Sequence, residues 1–170
     1  FLVGNEADRL GLPKPRVELL PTFYLPNAAG ELEAVVDSTP LIRRFETEFE
    51  GRPVIPPDPV AAFLDALVED YADEWLTKCM FHYRWAFEAD VEKAGRILPL
   101  WRDRSVDDPR HAELARTFSE RQISRLYVVG SNEVTAPVIE ASYTRFLALF
   151  ERLVAARPFV LGDRPGASDF

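Results

Sequence analysis

Cysteine is nearly missing from this sequence. Cys79 is the only one in 170 residues, so no disulfide can close within the chain. With just two histidines, His82 and His111, it offers no metal-ligand spacing. Basic residues are in the minority, 20 Lys and Arg against 28 Asp and Glu, for a net charge of −8. The small clusters Arg43-Arg44 and Arg102-Asp103-Arg104 read as solvated helix faces, and no basic stripe is available to displace counterions from phosphates, which excludes a nucleic-acid partner. No apolar run reaches the roughly 18 residues that a membrane-spanning helix needs. The start, Phe1 to Asn5, has neither an initiator Met nor a basic-then-apolar leader pattern, and the end stops as a helix begins, so both ends read as cut from a longer chain. These absences make the cytoplasm the default location. What is present is apolar bulk, 47% hydrophobic and 12% aromatic, enough to bury one substantial core or two small ones.

Proline divides the chain. Residues 5–11 suit a short helix that Pro13 and Pro15 end, because neither ring supplies a backbone donor and each pushes its predecessor towards extended geometry. Val17 to Leu25 reads as a strand, residues 26–31 as a turn and Leu32 to Val36 as a second strand, together a β-hairpin. Asp37-Ser38-Thr39-Pro40 opens a helix whose Leu41, Ile42, Phe45 and Phe49 fall on one stripe, and the helix should end near Gly51. Pro53, Pro56, Pro57 and Pro59 then make residues 52–59 a stiff linker. Helices follow over Val60 to Phe87, Ala89 to Trp101, His111 to Val129 and Thr135 to Ala156, the first with an apolar stripe of Phe63, Leu67, Tyr71, Trp75 and Met80.

Two places in the first part carry candidate chemistry. Pro21 sits inside the expected strand, where it removes a ladder hydrogen bond. An edge strand with a trans bond would tolerate it; a cis Leu20-Pro21 bond would instead turn the Leu20 amide and carbonyl outward, where an extended peptide could pair with them. Asp37-Ser38 stands at a helix N-terminus, where free N–H groups and the helix dipole favour an anion, although such residues commonly do no more than cap their own helix. In the helical part, Trp75, Lys78, Cys79, His82 and Trp85 share roughly one face, and Asp70, Glu74 and Lys78 have ion-pair spacing. His82 could serve as an acid or base, but packing of His82 and the tryptophans between two domains is the preferred reading; Cys79, flanked by Met80 and Phe81, reads as a buried apolar residue.

The order of these features resembles the glutathione S-transferase superfamily: a strand with an internal proline, a hairpin, Asp-Ser-Thr-Pro-Leu-Ile opening a helix, a proline-rich linker and then helices. Leu161-Gly162-Asp163-Arg164-Pro165-Gly166-Ala167-Ser168-Asp169-Phe170 likewise resembles the loop and capping box that open that family's buried sixth helix, with Gly166 where Ser or Thr is usual. The resemblance implies the β-β-α portion of an α/β thioredoxin-like domain over residues 1–51, the linker over 52–59 and an all-α bundle over 60–170. It further implies glutathione as cosubstrate, with Leu20 and Pro21 meeting its cysteinyl part and Asp37 and Ser38 its γ-glutamyl group. A small electrophile as second substrate, conjugated with or reduced by glutathione, and a homodimer follow from the same resemblance, and no metal is called for. The family's thiol-activating Tyr, Ser or Cys stands near the start of its first strand or helix, a region expected before Phe1. No catalytic residue is therefore named, and a non-catalytic binding or scaffold module of the same fold stays open beside the enzyme.

Overall fold

The computed structural model describes residues 6–101 and 105–170, so the Arg102–Arg104 cluster and the first residue of the expected opening helix lie outside the described residues. A single short turn of helix, α1 (Glu6–Arg9), precedes an antiparallel pair, β1 (Phe23–Pro26) and β2 (Leu32–Val35), in the register Phe23↔Val35 to Pro26↔Leu32. The first strand is shorter than the expected Val17 to Leu25. Pro21 interrupts it with no N–H to donate, and the Thr22 hydroxyl donates back to the Leu19 carbonyl at 2.8 Å, so the ladder starts only at Phe23; the Leu20-Pro21 bond is cis. Between the strands the Asn27 side chain accepts from the amides of Ala29 and Glu31 at 2.9 and 3.0 Å, an Asx-type turn.

Helix α2 (Ser38–Glu48) packs back on the hairpin through Arg44. Its guanidinium donates to Glu33 of β2, to Glu48 one turn on, and to the Pro26 carbonyl at 2.7 Å; the Glu48 hydrogen bond and then Glu33 hold its pKa above the ordinary value. Leu41 is the buried member of the expected stripe. Phe49 is not buried: α2 ends at Glu48, Phe49 adopts an extended conformation, and its ring stays 67% exposed while meeting Phe45 edge-on.

The proline-rich linker is tied down rather than free-standing: Val54 N donates to Glu46 at 2.8 Å and Arg52 to the Pro165 carbonyl at 3.2 Å. It ends one residue early, because Asp58 caps α3 (Pro59–Tyr71) by accepting from Ala61 N and Pro59 takes the first helical position. A π turn at Ala72–Leu76 joins α3 to α4 (Thr77–Trp85). Such a turn inserts a residue and rotates the following face by about 100°, but the stripe read at intervals of four fails already before it, within α3. Phe63 and Leu67 are 65% and 50% exposed, whereas Asp65, Cys79, His82 and Trp85 are buried.

The expected helix Ala89 to Trp101 is α5 (Glu88–Ile97) with a 3-10 turn through Trp101. His111 to Val129 is α6 (Asp108–Ile123), begun earlier by the Asp107 cap and Pro109, followed by a 3-10 turn at Leu126–Val129. Helices α5 and α6 cross closely at Gly95, where a Cβ would stand 2.1 Å from Ser119 Oγ. The long α7 (Ala136–Ala156) leads to a Phe159–Gly162 bridge and a 3-10 turn at Ala167–Asp169. A short hairpin with its helix is thus followed by helices, as the β-β-α then all-α expectation has it at that coarse level.

Candidate functional site

The four residues singled out for glutathione lie at the open end of the hairpin. The ladder ends at the Phe23↔Val35 pair; Pro21 and Leu20 stand two and three residues before it, and Asp37 and Ser38 two and three residues after it. Leu20 is 84% exposed, and no described residue takes its backbone N–H or carbonyl.

Asp37, not Ser38, is the cap of α2. Its Oδ1 accepts from Thr39 N at 3.1 Å, and its φ of 78° is a left-handed conformation rare for a residue with a side chain. Backbone held there costs on the order of 1–3 kcal/mol and tends to mark ligand sites. The Ser38 hydroxyl, freed from capping, is exposed and engages no described residue. Thr39 anchors this end to the helical part by donating to Glu69 of α3. The end is an open surface: neither of two cavities, one of about 410 Å³ beside Phe45, Phe49 and Phe170 and one of about 560 Å³ beside His82, is lined by Leu20, Pro21, Asp37 or Ser38.

In the helical part the aromatic cluster packs within its own bundle rather than between two domains. His82 Nδ1 lies 2.8 Å from Ser131 Oγ and Nε2 3.4 Å from Glu140 on α7, with Tyr83 and Phe87 against the ring. Trp85 meets Phe81 and Phe118, and Trp75 donates to Ser142 at 2.8 Å. Cys79 is fully buried, and that burial pushes its thiol pKa up, the opposite of what a nucleophilic cysteine requires. Lys78 pairs with Glu74 at 3.5 Å; Asp70 joins no described ion pair. Among the described residues no group of three or more His, Cys, Asp or Glu could hold a metal ion, and no helix is long and apolar enough to cross a membrane.

Asp65 carries no mark of its role in the sequence pattern. It is 2% exposed and accepts from Ala167 N, Ser168 N and Ser168 Oγ at 3.2, 3.0 and 2.6 Å, capping the C-terminal turn from 102 residues away. The one available signal is a lone acid inside Ala61-Ala62-Phe63-Leu64-Asp65-Ala66-Leu67-Val68. Asp65 also accounts for Gly166: a Cβ there would stand 2.8 Å from Asp65 Oδ1, so the usual Ser or Thr would displace the carboxylate. Asp169 supplies the other half of the box, accepting from Gly166 N and Val160 N. Ser131 and Glu140, which hold His82, give no local signal, since they stand 49 and 58 residues away from it. No protein-family model, no curated protein and no solved structure matches this chain.

Proposed function

We propose that the open end of the hairpin binds glutathione, and that the protein is a glutathione S-transferase-like enzyme acting on small electrophiles, with a homodimer as its assembly. The observation that carries this reading is the uncommitted Ser38 hydroxyl on the first turn of α2, beside an Asp37 held at positive φ. A γ-glutamyl carboxylate there would receive the Ser38 O–H and the free amides of the helix start, and its ammonium would face Asp37. The unpaired Leu20 backbone would take the cysteinyl part as one short strand pairing. The chemistry would be attack of the glutathione thiolate on an electrophilic carbon, forming a C–S bond as the leaving group departs; Cys79, buried and protonated, takes no part in it. Passage over immobilised glutathione tests the reading. Retention with elution by free glutathione is expected, and flow-through equal to that of an unrelated acidic protein would reject it.

A further inference from the structure

The cavity of about 560 Å³ at the far end of the helical part is not used by that proposal. His82, on its wall, lies thirteen residues along the chain from Glu69, the contact of the hairpin end, which is about 20 Å of helix. The cavity walls are apolar and aromatic, with Trp85, Phe87, Val91, Ile123 and Leu126 among them, and the volume falls in the range of small-molecule sites. The charges around it have one sign. Glu88, Glu133 and Glu140 line it, and no Lys or Arg does among the described residues.

His82 forms the polar wall, fixed on both ring nitrogens. With Nε2 facing the Glu140 carboxylate, the ring donates there and its Nδ1 accepts from the Ser131 hydroxyl. The carboxylates are too dispersed to make a metal site. A cation drawn by them must therefore also suit apolar walls, and an ammonium group on a hydrophobic body satisfies both.

We infer that this cavity is a binding site for a small hydrophobic monoamine in its ammonium form. Calorimetric titration of the whole chain with 2-phenylethylamine, its neutral analogue 2-phenylethanol and phenylacetate tests this near neutral pH. The ammonium is expected to bind saturably, with the alcohol and the acid at least about tenfold weaker. Equal binding of the alcohol, or no saturation by the amine below about 10 mM, would overturn the inference. Glu88 and Glu133 are exposed and make no contact with His82, so the double variant Glu88→Gln/Glu133→Gln should fold. It is expected to lose about fivefold or more in amine affinity at low salt, and unchanged affinity would remove the electrostatic basis of the site.

Discussion

Two aspartates each cap a helical turn, and their surroundings could hardly differ more. Asp65 is buried in the helical part and holds three donors of the C-terminal turn; Asp37 is exposed at the end of the hairpin and holds one. The same contrast separates the two regions. In the helical part His82 and Trp75 are spoken for by Ser131, Glu140 and Ser142, and no buried side-chain polar atom among the described residues lacks a partner. At the hairpin end the Leu20 backbone and the Ser38 hydroxyl are left over. Polar groups used up by the fold are poor candidates for binding, whereas groups the fold leaves exposed and unpaired can be spent on a ligand.

Substitutions can sharpen that contrast. The largest effect should come from Asp65→Ala, which strands two amides and a hydroxyl in a buried site. A loss of about 3–5 kcal/mol in urea denaturation is expected, and a loss below about 1 kcal/mol would mean that water replaces the carboxylate. Next, Gly166→Ala should cost about 1–3 kcal/mol, because its methyl group meets the Asp65 carboxylate. Combined with Asp65→Ala it should cost less than the sum of the two, since the clashing partner is gone.

Cys79 gives an effect tied to pH. Its folded pKa lies above the ordinary 9.0, so the unfolded chain loses this proton first. Its contribution to stability is therefore complete below pH 9.0 and is lost as pH rises through the folded value. A thiol reagent should modify it only at the rate of unfolding; rapid modification of the native protein would show an open path to the sulfur. The smallest effects belong to the hairpin end. Asp37→Ala should cost about 1 kcal/mol through the lost cap, and Ser38→Ala less than about 0.5 kcal/mol, both by thermal or urea melts.

Much of this arrangement was legible in the sequence, and the failures have physical causes. The hairpin, the opening of α2 and the linker follow from proline and turn chemistry, which is local. The ends of β1 and α2 moved because a proline hydrogen-bond gap and an extended Phe49 act within a residue or two. The stripe from Phe63 to Met80 failed because the buried position of α3 is Asp65, an acid that an apolar pattern passes over, and a π turn then shifts helical phase without a marker in the residue pattern. At the site, the order Leu20-Pro21 and Asp37-Ser38 could be read directly. The division of labour between Asp37 as cap and Ser38 as free hydroxyl could not, since both residue types cap well and only the backbone angles decide between them.

The central claim is that Ser38 is free for a ligand rather than committed to the fold. Calorimetric titration of glutathione into the wild type and into Ser38→Ala tests it most directly, with an Asp37→Asn titration at rising salt as companion. The account predicts unchanged melting but a ten- to hundredfold loss of glutathione affinity in Ser38→Ala, about 1.5–3 kcal/mol for one hydrogen bond to a charged group. It also predicts that the affinity difference between wild type and Asp37→Asn shrinks as salt is added. Equal glutathione affinity in the wild type and both variants would contradict it.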